Sequence, residues 1–460
     1  MTQRFSVFAF TAGTFGLLVS VLVPSAAQAI PSFAAQTGQP CSACHVGAFG
    51  PQLKPYGRDF KLHGYVTSDR DDDSDYTERL SVMAKGSFNR TDKDFSPSPG
   101  GVGYGPNNNF SFDQGAAYYG GRITQTIGMI QEVSYDGANR DFFWDALDLR
   151  HAHEGEFLGE DYVGGIVVSN QLGNTSIWNS GTPNGFPYNA SSIAPTPQAN
   201  TIFDDSLNGQ ILGAGFYGLW NDLIFAEATM YVPLSRNFQQ AVGNPATNLY
   251  QGVIPYWHVG LQQDFDHHNH YAQIGTYGAV ANRSPGDSFN PTGDTSAEQT
   301  DHLTDIGFEA TYQYLADLNN TISFHATYVH EKEDLSASRV LLGTNPSDDL
   351  NKFNADVTYS INDTYVPTVG YFKTTGSPDA ALYTNATSPN SEGYTVELAY
   401  VPFGHPDSYI QNGNIRLGLQ YTGYTQFDGT SRHASDNNTL FLNLWMILAP
   451  FKTTLGGGDK

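Results

Sequence analysis

From Arg79 towards the C-terminus, apolar and polar residues alternate with a period of two in one run after another. In Asn414-Ile415-Arg416-Leu417-Gly418-Leu419-Gln420-Tyr421-Thr422, one face carries Ile415, Leu417, Leu419 and Tyr421, and the other Arg416, Gln420 and Thr422. Gly393–Tyr400, Ile322–Tyr328, Gly307–Tyr314 and Phe353–Tyr359 follow the same rule. Side chains of a strand point alternately to its two faces, so each run predicts a strand with one apolar side. The pattern predicts sixteen strands, over 79–90, 115–124, 128–136, 142–154, 161–170, 210–219, 222–232 and 254–265, then 270–281, 305–315, 320–332, 352–360, 364–374, 391–402, 413–424 and 438–449.

The connections between these runs are unequal. Those after even-numbered strands are short, apart from the last, whereas those after odd-numbered strands are long, apart from 137–141. Short turns on one rim and long loops on the other mark an outer-membrane barrel, as do an even strand number and runs close to the ~9–11 residues that cross a bilayer. The expected fold is therefore all-β, a transmembrane antiparallel β-barrel of about 16 strands. Both ends of the barrel chain fall on the short-turn, periplasmic side, and the long polar loops are expected to face outside. Glu132, Glu227, Glu309, His325, Asp356, Glu397 and Arg416 are the candidate lumen-facing charges.

Composition agrees. Charged residues are only 15%, aromatics 13%, and Gly numbers 48, Tyr 27 and Phe 29 among 460 residues. A mean hydropathy of −0.36 excludes a bundle of membrane helices. The net charge of −24 excludes a nucleic-acid partner, since phosphates need a basic face.

The N-terminus differs from the rest. Phe5 to Val23 is apolar, follows Arg4 and leads to Ala27-Gln28-Ala29, which reads as a signal peptide over 1–29 with Ile30 as the mature N-terminus. Soon afterwards comes Cys41-Ser42-Ala43-Cys44-His45, which contains both cysteines of the chain. Two thiols at this spacing can add to the two vinyl groups of one haem, and the adjacent histidine then serves as an axial ligand of its iron. A zinc site would need two further ligands, and a thioredoxin-like pair a βαβ setting; neither accompanies the motif. One covalent haem c on Cys41, Cys44 and His45 is the expected cofactor.

Strand-like sequence starts at Arg79, so only about 35 residues of the segment 30–78 follow His45, too few to bury a haem alone; chains below about 40 residues lack a sufficient core. Within it, Phe49 to Tyr65 predicts a turn and one or two helical turns. Lys54, Arg58 and Lys61 are candidate contacts for haem propionates. His63 is a candidate distal ligand, while Met83 reads as a wall residue. Asp264-Phe265-Asp266-His267-His268-Asn269-His270 carries metal-ligand chemistry but falls in a short turn, where polar residues are ordinary. The aspartates of 69–75 lack the glycine and terminal glutamate of a calcium loop and read as a solvated linker.

A barrel wall about 25 Å tall would leave a separate periplasmic haem far from any outside donor. A haem segment that enters the lumen as a plug solves that problem and acquires its missing pocket. The Cys-x-x-Cys-His motif, the stretch Tyr56-Gly57-Arg58-Asp59-Phe60-Lys61-Leu62-His63-Gly64-Tyr65 and a barrel closing on Asn437–Trp445 together resemble the fused monohaem cytochrome c–porin family of bacterial outer membranes, which includes Fe(II)-oxidising cytochromes. The resemblance implies haem attachment at Cys41 and Cys44, axial ligation by His45, a 16-stranded porin and electron uptake from extracellular ferrous iron.

The expected organisation is thus a signal peptide at 1–29, a monohaem segment at 30–78, a porin-like barrel at 79–451 and a tail at 452–460. The expected function is oxidation of an extracellular donor, Fe(II), with electrons passing through the haem to a periplasmic carrier such as a soluble cytochrome. The rival expectation is a passive porin whose haem-bearing segment obstructs the lumen. A soluble exported cytochrome with a β-rich domain is a third, disfavoured by the loop alternation.

Overall fold

A computed structural model describes residues 30–68 and 79–449, apart from 99, 102, 182–183, 245–248, 286–298, 316, 318, 384–387, 406 and 409–412. The expected signal peptide at 1–29, the aspartates of 69–75 and the tail at 452–460 lie outside the described residues. The barrel strands are β1 Leu80–Thr91, β2 Asn109–Arg122, β3 Ile127–Asp136, β4 Asp141–Phe157, β5 Glu160–Ser169, β6 Ile211–Trp220, β7 Ile224–Pro233 and β8 Ile254–Phe265. They continue as β9 His270–Ser284, β10 Asp301–Leu315, β11 Thr321–Asp334, β12 Ser347–Ser360, β13 Tyr365–Gly376, β14 Ser391–Tyr400, β15 Gly413–Gln426 and β16 Thr439–Leu448. A three-residue strand, Leu249–Gln251, adds to the long-loop end of β9.

Each strand pairs antiparallel with the next, and β1 pairs with β16 in the register Val82↔Leu448 to Thr91↔Thr439. The sheet is therefore a closed, 16-strand transmembrane antiparallel β-barrel in which each of β1–β16 is paired on both sides. All sixteen expected strands are present. Several reach further into the long-loop side than expected: β2 begins at Asn109, β10 at Asp301 and β12 at Ser347.

Burial alternates along the wall. On β15, Leu417 and Leu419 face outward while Arg416 and Gln420 are buried inside. The outer face carries Phe308, Val357, Val396, Leu398 and Leu442. Exposed Tyr314, Tyr359, Tyr365 and Tyr400 lie near the short-turn rim, and Tyr328, Phe353, Tyr371 and Tyr394 lie towards the other. Two aromatic girdles around an apolar belt match the two interfaces of a bilayer. Among the described residues, no helix is long and apolar enough to cross a membrane.

All seven expected lumen charges are buried. Arg416 pairs with Glu397 at 2.6 Å, and His258 meets Glu309 at 2.8 Å. One expectation is corrected. The connection 170–210 does not extend outside: Leu172, Ile177, Trp178, Ile193 and Phe203 are buried, and Trp178 Nε1 donates to Gln262 on β8. Its apolar residues drive it inward, because an exposed loop gains nothing from them.

Candidate functional site

Residues 30–65 fold into three short helices, α1 Pro31–Thr37, α2 Cys41–Cys44 and α3 Pro55–Leu62. Pro31 and Pro55 occupy first-turn positions, where a missing N–H costs nothing. One turn of helix brings Cys41 and Cys44 to the same side, as residues three apart always are. After α2, His45 takes an extended conformation and bridges to Leu53, with Val46 N donating to Gln52 O and Lys54 N to Cys44 O. The chain between them turns through Gly47 and Gly50, both at positive φ. Close packing of α3 on α2 requires Gly57: a Cβ there would lie 2.4 Å from Cys44 O.

The segment bonds to inward-facing groups all around the ring of strands. Ser32 Oγ donates to Gly120 O on β2, and Tyr65 OH to Asp148 on β4. Tyr217 OH on β6 donates to Leu62 O, and Asn414 Nδ2 on β15 to Ala48 O. Gln52 meets Tyr188 of the inward loop, His325 on β11 and Thr358 on β12. Phe49 packs edge-on against Trp445 of β16, with centroids 4.9 Å apart.

Between the segment, β2–β5 and the inward loop lies a cavity of about 950 Å³. Cys41, Cys44 and His45 line it together with apolar Ile30, Phe33, Leu53, Phe60 and Ile130 and polar Tyr118, Glu132, Asp148, Gln171 and Asn179. Burial pushes the Cys41 thiol up to about 11, and burial together with Cys41 pushes Cys44 up to about 12. Burial pushes the His45 imidazole down to about 4, so it is neutral and able to ligate a metal, and its Nδ1 is buried without a hydrogen-bond partner. Two adjacent thiols, a neutral imidazole and a largely apolar chamber fit a covalently attached haem.

The other candidates separate. Lys61 lines the cavity, donating to Asn174 O at 2.9 Å and Asn179 Oδ1 at 2.7 Å. Lys54 turns to the wall and pairs with Asp363 at 3.1 Å. The Arg58 guanidinium stacks 3.4 Å from the centroid of Tyr271 and donates to Leu53 O and Gln313 Oε1. Of the three basic candidates, only Lys61 is placed at the cavity. His63 also lies away from it, with Nδ1 3.1 Å from Asp59 Oδ1 and Nε2 3.2 Å from Glu154 Oε1. Met83 is buried in the wall, its Sδ 3.6 Å from Tyr118 OH. The turn after β8 gathers no set of three or more metal-ligating side chains among the described residues.

The sequence alone did not mark Tyr118, Asp148, Gln171, Asn174 or Asn179 as cavity residues. Alternation on β2 and β4 places the first two inside the barrel, but their convergence on residues 41–45 depends on how the segment sits. A second chamber, about 1,100 Å³, lies between residues 186–200 of the inward loop and β12–β16, lined by Phe186, Lys352, Phe372, Thr374 and Tyr424.

No family model matches the chain, and no curated protein matches it. Solved structures similar to it include the outer-membrane protein OmpT of Vibrio cholerae with loop L8 deleted, at 12% identity and a TM-score of 0.41, over 80% of this chain and 97% of that one. OmpF of Salmonella typhi in complex with daunomycin is similar at 12% and 0.44, over 80% and 97%. The outer-membrane channel DcaP of Acinetobacter baumannii is similar at 12% and 0.42, over 80% and 96%. The fold assignment rests on the strand register and closure rather than on these likenesses.

Proposed function

We propose that this chain is an outer-membrane c-type cytochrome–porin that carries electrons from an extracellular one-electron donor, ferrous iron, to a periplasmic carrier such as a soluble cytochrome. The observation that carries the reading is the cavity inside a closed barrel on which Cys41, Cys44 and His45 converge. Cys41 and Cys44 would hold one haem c by thioether bonds, and His45 would be its axial ligand. When bound, the group would supply a one-electron carrier inside the barrel.

The chain's own residues do the rest. Phe33, Leu53, Phe60 and Ile130 give the chamber its apolar lining. Lys54 with Asp363, Arg58 on Tyr271 and Gln52 among Tyr188, His325 and Thr358 fix the segment to the wall. Lys61 offers a cation at the cavity, the natural partner of a carboxylate. The net charge of −24 favours approach of a cationic donor over an anionic one.

A second reading, a porin whose N-terminal segment only obstructs the lumen, draws on the same buried contacts. Adding Fe(II) to purified protein in detergent separates the two. Reduction of a haem absorbance by Fe(II), lost in His45→Ala while the barrel still folds, is expected for electron transfer. A haem that stays oxidised would leave only the obstructed porin.

A further inference from the structure

A chain of hydrogen bonds starts at the cavity and leads into the wall. Glu132 on β3 lines the cavity and is 3% exposed. Its Oε1 accepts from Tyr118 OH at 2.6 Å and lies 3.0 Å from Ser134 Oγ. Ser134 Oγ is in turn 2.7 Å from Asp145 Oδ2 on β4, and it accepts from Gln114 Nε2 at 2.9 Å. Asp145 Oδ1 accepts from Asn208 Nδ2 at 3.0 Å. Ser134 and Asp145 are 0% and 1% exposed.

This arrangement fixes a proton count. A hydroxyl has one hydrogen to donate and two lone pairs to accept with. Ser134 can therefore donate to Glu132 or to Asp145, but not to both. Were both carboxyls ionised, one of the two short contacts would set oxygen against oxygen with no hydrogen between them. With one carboxyl protonated every position is filled: the acid donates to Ser134, Ser134 donates to the remaining carboxylate, and Gln114 occupies the second lone pair. The charged groups that act on Glu132 from neighbouring strands are Lys85 on β1 and Asp145 itself, and Lys85 also faces Asp113 on β2. Lys61 and Asp148 line the same cavity.

We propose that Glu132, Ser134 and Asp145 form a proton site that holds one proton when the neighbouring haem is oxidised and a second when it is reduced. The inference rests on the haem reading above and adds a regulation to it. An electron arriving in a chamber of low dielectric makes it more negative by one charge, which raises the proton affinity of carboxylates in its wall. One electron enters from the donor, ferrous iron becoming ferric, and one proton enters from bulk water. The remaining carboxylate becomes a carboxylic acid and the net charge of the chamber is unchanged.

The test is a spectroelectrochemical titration of the haem-loaded protein in detergent, with redox mediators, over about pH 5 to 8. The midpoint potential is expected to fall as pH rises, by up to about 59 mV per unit for one proton per electron. Glu132→Gln is expected to flatten the slope, with Asp145→Asn as the second variant in case the first does not fold. The redox-induced infrared difference spectrum of the wild type should show a carboxylic-acid stretch that Glu132→Gln alters. A reversible but pH-independent potential in the wild type, or an unchanged slope in both variants, overturns this inference alone. Denatured protein without covalent haem overturns the haem reading and this inference with it.

Discussion

Lys54 Nζ lies 3.1 Å from both carboxylate oxygens of Asp363, and the two side chains, 4% and 0% exposed, are sealed between the N-terminal segment and the turn that joins β12 to β13. This pair joins residues 309 positions apart in the chain. It converts a hairpin turn on the short-turn rim into an anchor for the cavity-forming segment. Removing one partner would take away the main compensation of a buried charge, and breaking such a pair typically costs about 3–5 kcal/mol. Asp363→Asn should therefore loosen the segment while leaving the barrel closed. Limited proteolysis should cut residues 30–65 faster in this variant, and the double variant Lys54→Met/Asp363→Asn should recover much of the protection.

His63 gives the segment a pH dependence. The hydrogen bond its imidazole donates to the Asp59 carboxylate comes first among the influences that raise its pKa to about 9, and Glu154 adds to them. Its folded pKa stands above the unfolded value of about 6.5, so its stabilising contribution is full below that value and is lost as pH rises towards 9. Protease resistance of the segment should decline between those limits. Glu154→Gln should reduce the decline, and a resistance that increases over the same interval would contradict the assignment.

The half-buried thiols that line the cavity give a chemical prediction. The thiolate is the reactive form, and burial holds Cys41 at about 11 and Cys44 at about 12. In barrel refolded without haem, both should resist a thiol-alkylating reagent at neutral pH and react at once after denaturation. Mass spectrometry before and after unfolding measures this. Under the proposed function, the same burial requires haem attachment to precede closure of the segment into the barrel.

Gly57→Ala tests the packing of α3 on α2. The added methyl would sit 2.4 Å from Cys44 O, a backbone atom that cannot move aside cheaply. Overpacking of this kind costs about 1–3 kcal/mol. The haem content per folded barrel should fall, whereas Gly50→Ala, with open space around its Cβ but a strained φ of +106°, should act through the loop alone.

The barrel was legible because a strand writes its two environments directly into alternate residues. Arg416 and Gln420 against Leu417 and Leu419 need no tertiary information to assign. The Cys-x-x-Cys-His motif was legible for a similar reason, since its chemistry lies within five residues. What stayed hidden depends on contacts between distant parts of the chain. Lys54 and Arg58 look alike beside Lys61 in the sequence, yet Asp363 and Tyr271 claim them for the wall. The inward course of residues 170–210 was signalled by Leu172, Ile177, Trp178 and Phe203, apolar residues that an exterior loop has no use for. Ser134 became informative only once it was seen between two carboxyls.

The haem stoichiometry of denatured protein tests the central proposal most directly. Full-length chain, expressed in a host that matures c-type cytochromes and then unfolded in denaturant, should retain one haem per polypeptide by pyridine-haemochrome absorbance, and none after Cys41→Ser/Cys44→Ser. Wild-type chain that carries no denaturant-resistant haem under those conditions would contradict it.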